Sequence, residues 1–109
     1  MTVTDLQNAL SLTPVSLPEG DREVEGVYIG DLLSWVMGRA QSGNVWLTIM
    51  SNLNIVAVAT LADVSCIILC EGMTLEESVR SIAEAKGVNI LTTEAPAYET
   101  AKRLSELGL

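Results

Sequence analysis

The sequence contains no histidine and no phenylalanine, and only 6 of its 109 residues are basic against 14 that are acidic. Without histidine, a His-rich zinc site and any catalytic triad built on an imidazole base are excluded. Six scattered bases in a chain of net charge −8 cannot neutralise a nucleic-acid backbone, so we expect no nucleic-acid partner. Hydrophobic residues still make up 49% of the chain, which is too many for a disordered protein and fits one compact domain.

Several catalytic motifs are also missing. The sequence has no phosphate loop of the Gly-x-x-x-x-Gly-Lys-Ser/Thr type, no Gly-x-Gly-x-x-Gly and no Gly-x-Ser-x-Gly elbow. Carboxylates near the ends of predicted elements (Asp31, Asp63, Glu71 and Glu94) are candidates for acid–base work or Mg²⁺ binding, but none has a recognised metal spacing. We therefore expect no enzymatic activity, no metal and no cofactor, and we interpret these carboxylates as solvated or helix-capping groups.

Two cysteines, Cys66 and Cys70, flank an apolar run. Four residues apart on a strand, they point to the same face about 13 Å apart, too far for a disulfide. We interpret them as buried core thiols, with redox or intermolecular chemistry as the alternative. Buried free thiols favour a cytoplasmic location.

The N-terminus has no signal-peptide pattern. Six polar residues interrupt the uncharged stretch 40–62, so we predict no membrane segment.

Four short segments predict strands: residues 23–29, 45–50, 67–69 and 88–91. The last three are almost wholly apolar, which is typical of parallel strands covered on both faces. Pro14 and Pro18 frame residues 13–20, which we expect to be a loop.

Capping-box patterns at residues 4–7 and 74–77 predict the starts of two helices. In the second helix we expect an ion pair between Glu76 and Arg80 and an end at Gly87. Two more helices are predicted after residues 30–31, with Leu32, Leu33, Val36 and Met37 inward, and between Pro96 and Gly108.

The segment 54–62 is ambiguous, because its run Ile-Val-Ala-Val-Ala has β propensity. Asn52 or Asn54 offers a helix N-cap, and the 15 residues between two strands are enough for a crossover helix. We therefore predict a helix there. The resulting alternation indicates an α/β fold with a mainly parallel sheet of about four strands, in a domain spanning residues 23–109 with residues 1–22 as an appendage.

Ligands of open parallel sheets bind beyond the carboxyl ends of the strands. Four predicted loops reach that edge, and their polar side chains are candidate ligand-binding groups: Asp31, Asn52, Asn54, Thr92 and Thr93. The same residue types cap helices in any fold, so structural capping is the alternative interpretation.

Trp35 and Met37 are a second candidate site. Trp35 lies off the apolar stripe of its predicted helix, and it is either part of the core or forms, with Met37, an exposed surface for self-association. Trp46 alternates with apolar neighbours on a predicted strand and is expected to be packed.

The ordered segments 30–40, 54–59, 67–72 and 91–94 resemble stand-alone DRTGG-domain proteins, over about residues 23–107. This family is similar to the N-terminal domain of HPr kinase/phosphorylase, without its kinase domain. The resemblance implies a three-layer α/β/α sandwich, a regulatory or assembly role, dimerisation and no established catalytic residues. The Asp-Arg-Thr-Gly-Gly letters that name the family are absent here.

Two functional hypotheses follow. The first is a non-catalytic regulatory module that acts as a homodimer and contacts an unidentified protein partner. The second is a sensor that binds a small anionic ligand, such as an adenine nucleotide, at the strand-end loops.

Overall fold

The computed structural model describes all residues, 1–109, as five helices and five strands in one chain. The helices are α1 (Val3–Leu10), α2 (Leu33–Arg39), α3 (Asn54–Ala62), α4 (Glu77–Ala85) and α5 (Ala97–Glu106). The strands are β1 (Thr13–Ser16), β2 (Val27–Ile29), β3 (Val45–Thr48), β4 (Cys66–Leu69) and β5 (Ile90–Thr92).

All five strands form one sheet in the order β1-β5-β4-β3-β2. Strands β2 to β5 are parallel, and each neighbours the next one along the chain. Crossover helices join them, as parallel pairing requires. The carboxyl ends of these four strands therefore meet at one edge of the sheet, and the loops that follow them lie side by side.

Helices cover both faces of the sheet, which confirms the α/β fold. The core against α2, α3 and α4 includes Trp46 and Ile67, and the core against α1 and α5 includes Leu47 and Ile68. Successive residues of a strand point to opposite faces. All four residues of β3 and of β4 are buried, as predicted for strands covered on both sides.

Segment 54–62 is a helix, as predicted, despite its β-branched residues. Asn52 ends the preceding loop and accepts a hydrogen bond at Oδ1 from the backbone N–H of Asn54, at 2.9 Å. The apolar side chains of the helix, including Ile55 and Val58, are buried against the sheet. Tertiary packing outweighs the local strand propensity here.

The prediction of a loop over 13–20 is wrong in its first half, because Thr13–Ser16 is β1, paired antiparallel with β5. The sheet thus has five strands and not about four. Its register shifts between Pro14 and Ser16, and β1 lies at the sheet edge, where proline is tolerated.

Residues 1–22, expected to be an appendage, are packed into the fold. Val3 and Leu6 of α1 are fully buried in the core under one face, and β1 extends the sheet. The boundary between residues 22 and 23 remains a prediction about domain organisation.

Both predicted capping boxes are misplaced. Helix α1 is capped two residues earlier, where Thr2 and Asp5 exchange hydrogen bonds through their side chains and backbone N–H groups. Helix α4 starts at Glu77 with no side-chain cap, and Thr74 lies in the loop before it.

The ion pair predicted in α4 also differs from the one found. Arg80 pairs with Glu77 at 2.5 Å and with Glu84 at 2.7 Å, and Glu76 takes no part. Glu76 is the N-cap, so it lies on extended backbone and not on the helix surface.

Cys66 and Cys70 are both buried free thiols in the core under α1 and α5, as predicted. Burial raises the pKa of the Cys66 thiol to about 12. The pKa of Cys70 is also raised, chiefly by burial. Both thiols are therefore held in the protonated, unreactive form.

None of the five helices is long and apolar enough to span a membrane.

Candidate functional site

The loop between β2 and α2 is held to the sheet by two buried side chains of β3. Trp46, which is packed as predicted, donates from Nε1 to the carbonyl of Gly30 at 2.9 Å. Thr48 donates from Oγ1 to Asp31 Oδ1 at 2.8 Å, and the N–H of Ile49 donates to the same oxygen at 3.0 Å. One carboxylate oxygen of Asp31 is therefore occupied in joining two strand ends, which fits a structural role.

The loop between β3 and α3 contributes Asn52 and Asn54. The side-chain oxygen of Asn52 is used in the turn that opens α3, while its amide group has no partner in the chain. Asn54 is exposed and its side chain makes no hydrogen bond. Asn52 thus supports the turn before α3, whose N-cap is Leu53, and its amide group is left to meet a ligand.

The last two loops of this edge are bonded to each other. The N–H of Glu71 donates to Ala95 O, and the N–H of Gly72 donates to Thr93 O, both at 3.0 Å. Gly72 has a φ of +71°, and a Cβ there would lie 2.5 Å from a carboxylate oxygen of Glu94. The left-handed backbone at Gly72 favours glycine, because other residues are strained at this φ, whereas the end of the Glu94 side chain can move aside.

Two depressions open between these loops. The larger, about 580 Å³, contains Asn52. The smaller, about 110 Å³, contains Thr92 and Thr93. Met73 and Thr74 line both depressions and so connect them. The structure therefore brings Asn52, Thr92 and Thr93 to one continuous surface, while Asp31 and Asn54 line neither depression.

Sequence reasoning missed several side chains of this surface. Ser51, Glu76 and Ser78 line the larger depression, and Thr13 lines the smaller one. Thr13 was missed because its segment was expected to be a loop, whereas antiparallel pairing with Thr92 brings it to this edge. Glu76 was assigned to the helix surface instead of the N-cap.

The charge of this surface is acidic. Glu76 lines the larger depression and Glu94 the smaller, and no lysine or arginine lines either. The side chains present donate and accept hydrogen bonds through hydroxyl and amide groups. Across the molecule, no three Cys, Asp or Glu side chains are grouped as a metal site would require.

Helix α2 presents a second surface, of apolar character. Trp35 is 53% exposed, Met37 48% and Leu32 60%, and only Val36 of this helix is fully buried. The expectation that Leu32 and Met37 face inward is therefore wrong, since a helix of seven residues over the edge of the sheet buries little. Leu32 and Trp35, three residues apart, share one side of the helix, and Met37 lies on the other side of the buried Val36. We call these three exposed side chains, Leu32, Trp35 and Met37, the α2 patch.

Arg39 shapes one side of the α2 patch. Its guanidinium carbon lies 3.9 Å from the centroid of the Trp35 ring, which is a cation–π arrangement. This stacking holds the indole in one position on the surface. No acidic residue occurs between Leu32 and Asp63, so the segment that carries the patch is free of negative charge in an acidic chain.

The fold defines a class of protein: a small three-layer α/β/α domain whose strand-end loops form a polar surface. A sequence family gives that class a name. The DRTGG domain family matches residues 16–107, and the chain belongs to this family. No curated protein matches the chain in sequence.

A solved structure has the same fold. It is the crystal structure of the CBS and DRTGG domains of the regulatory region of Clostridium perfringens pyrophosphatase, complexed with the activator diadenosine tetraphosphate. The TM-score is 0.73 at 14% identity, and the match covers 94% of this chain and 45% of the other. The chain thus spans less than half of that regulatory region.

Proposed function

We propose that this DRTGG-family chain is a non-catalytic regulatory module that acts as a homodimer through the α2 patch and presents the dimer to a protein partner. The observation that carries the proposal is the exposure of three large apolar side chains on one short helix and its N-cap residue. Exposed apolar clusters of this kind mark interaction sites, because burying them on association removes apolar surface from water.

The occupant we propose for the α2 patch is a second copy of the chain. Two chains of net charge −8 repel each other unless they meet where negative charge is absent. No carboxylate lies within the α2 patch or on α3, although the exposed Asp31 precedes Leu32, so two copies meet little negative charge there. Trp35, held by Arg39, supplies an aromatic and an arginine, the residue types that contribute most to interfaces.

Tryptophan fluorescence tests this proposal. Trp46 is fully buried and Trp35 is half exposed, so association changes the environment of Trp35 alone. We expect the emission maximum to move to longer wavelength on dilution from high to low micromolar concentration. The substitution Met37→Ser should remove this dependence, whereas Leu61→Ser, an exposed leucine on α3, should leave it unchanged. A maximum that is constant with concentration would contradict dimerisation at the patch.

A second candidate function is that of a nucleotide sensor at the strand-end loops. The observation in its favour is that the C. perfringens regulatory region, which contains the same fold, is complexed with diadenosine tetraphosphate. Asn52, Thr92 and Thr93 lie on one surface with the apolar side chain of Met73 between them. The acidic side chains Glu76 and Glu94 work against a phosphorylated ligand there.

Thermal unfolding in the presence of nucleotides tests the sensor proposal. A ligand at 100 times its Kd adds about 2.7 kcal/mol of stability, or a rise of about 10 °C in Tm for a domain of this size. AMP, ATP and diadenosine tetraphosphate are the probes. A saturable rise that is lost in Asn52→Ala with Thr93→Ala supports the site. A rise that survives these substitutions places the ligand elsewhere, and no rise contradicts the proposal.

The cellular location we propose is the cytoplasm. Its support is the pair of buried free thiols, Cys66 and Cys70, since free cysteine is typical of reducing compartments.

A further inference from the structure

An apolar groove lies between α3 and α4, on the face of the sheet that also carries α2. Its volume is about 350 Å³, and five of its seven lining residues are hydrophobic. Leu61 is 71% exposed, Leu53 48% and Ile82 38%. A volume of this size is at the lower end of the range for small-molecule sites.

One end of the groove carries positive charge. Lys86 lines the groove and also lines an adjoining cavity of about 180 Å³, and Thr60 is the second residue shared by the two. Arg22 lines that adjoining cavity as well. Asp63, which pairs with Arg22 at 2.8 Å, lines this cavity too, so Lys86 is the unpaired base where the apolar groove ends.

Both bases have donors to spare. Lys86 takes part in none of the four ion pairs of the molecule. Arg22 makes both of its side-chain hydrogen bonds, to the carbonyl and to Oδ1 of Asp63, from a single nitrogen, Nη2. Asp63 in turn accepts from Ser42 through its other oxygen. The carboxylate nearest to Arg22 is therefore already satisfied, while Nη1 of Arg22 and Nζ of Lys86 have no partner.

We propose that this groove binds a small amphipathic monoanion, namely a carboxylate with a linear apolar chain such as a medium-chain fatty acid. The carboxylate lies between Lys86 and Arg22, and the apolar chain lies on Leu53, Leu61 and Ile82. The proposal does not depend on dimerisation, because none of the residues of the α2 patch lines the groove. Leu53 and Ile82 also line the larger strand-end depression, but Asn52, Thr92 and Thr93, on which the nucleotide proposal rests, do not line the groove.

The charges select this occupant over two others. A polyphosphate is repelled more strongly than a monoanion by a molecule of net charge −8, and one unpaired lysine beside the Arg22–Asp63 pair matches a single carboxylate. A second copy of the chain brings a further charge of −8 to an end of the groove where Glu19 also approaches, 3.7 Å from the Cβ position of Gly87.

Titration of the whole chain with decanoate, followed by amide NMR, tests the proposal. We expect saturable shift changes at Leu61, Ile82 and Lys86, and at least tenfold weaker binding of decanol, which has the same chain without the charge. Lys86→Gln should weaken decanoate binding about tenfold. Lys102→Gln, which removes an equally exposed lysine from α5, is the matched control and should leave the affinity unchanged.

Three outcomes overturn the proposal. The first is the absence of saturable changes in the groove. The second is an equal effect of Lys86→Gln and Lys102→Gln, which would mean non-specific attraction of the anion. The third is a concentration-dependent change at Leu61 and Ile82 without decanoate, which would assign the groove to a second copy. Tighter binding by Glu19→Gln supports the proposal, because it removes a like charge from the carboxylate end.

Discussion

Asn89 is a buried polar residue whose role the sequence pattern did not reveal. It is 2% exposed and makes three hydrogen bonds of 2.9 Å: its oxygen accepts from Glu19 N, and its nitrogen donates to the carbonyls of Glu19 and Ser65. These bonds hold the segment after β1 against the ends of β4 and β5. At the level of sequence, an asparagine before an apolar strand indicates only a turn.

Replacing Asn89 by alanine should lower the free energy of unfolding by about 2 kcal/mol or more, because buried backbone groups lose their partners. Urea denaturation measures this loss. The matched control is Asn54→Ala, an exposed asparagine without a side-chain hydrogen bond, which should change stability by less than about 0.5 kcal/mol. Equal effects of the two substitutions would contradict the role assigned to Asn89.

Asp63 gives the stability of the chain a component that depends on pH. Its pKa is lowered from 3.8, first by the hydrogen bond from Ser42 and then by the one from Arg22. A proton therefore binds the unfolded chain more tightly than the folded one at this site. The resulting stabilisation is present above pH 3.8 and is lost as the pH falls below it.

The substitution Asp63→Asn should make the loss of stability between pH 5 and pH 3 shallower than in the wild type. Asparagine tolerates the left-handed backbone of this position, where φ is 59°, so the substitution tests charge and not strain. Urea midpoints measured across this range provide the comparison. The control Asp21→Asn removes an exposed aspartate without an ion-pair partner and should keep the wild-type slope. An unchanged slope in Asp63→Asn would show that Asp63 contributes nothing to acid sensitivity.

The start of α1 is settled by hydrogen bonds that the sequence pattern locates only to within a turn. Thr2 and Asp5 form the capping box of α1, although Thr4 begins a similar pattern. The side chain of Thr4 instead donates to the carbonyl of Gly20, at 2.9 Å. Thr2 therefore caps the helix, while Thr4 contacts the loop that contains Gly20. The sequence pattern alone does not distinguish these two roles of threonine.

We expect Thr2→Ala to destabilise the chain by about 1 kcal/mol, because the Asp5 N–H loses its acceptor at the helix start. Thr74→Ala should have a smaller effect, within about 0.5 kcal/mol, since Thr74 is exposed and caps no helix. Chemical denaturation of both variants distinguishes the two. A larger loss from Thr74→Ala would restore the capping box that the sequence predicted for α4.

Most elements were predictable because their patterns are long or unambiguous. The apolar segments that became β3, β4 and β5 have the composition of strands buried on both faces, and α3 was predicted because two parallel strands need a crossover. Strand β1 was missed because its four residues include Pro14 and pair only with β5, far along the chain. A pairing of such long range leaves no local pattern.

The sequence predicted where the candidate sites lie better than it predicted which residues line them. Parallel topology brings Asn52, Thr92 and Thr93 to one edge, as expected, but it also brings Glu76 and Thr13, whose placement depends on a helix start and on a strand pairing. The sequence left Trp35 either in the core or on an exposed surface, because the exposure of its side chain depends on how much of α2 overlies the sheet. The groove between α3 and α4 depends on the packing of two helices and has no sequence motif.

Taken as a whole, the molecule is acidic, with apolar surface exposed at α2 and between α3 and α4. It belongs to the DRTGG domain family and has the fold found in the regulatory region of a larger protein. The proposed regulatory module acts by changing what it binds. Association is therefore the central property of the proposed function.

The most direct test is sedimentation equilibrium of the full chain from 1 to 200 µM in salt sufficient to screen its charge, about 0.15 M. The account predicts a mass that rises toward twice the 11.6 kDa of one chain and that stays at one chain mass in Met37→Ser. A wild-type mass of one chain throughout the range would contradict dimerisation and with it the proposed function of the α2 patch.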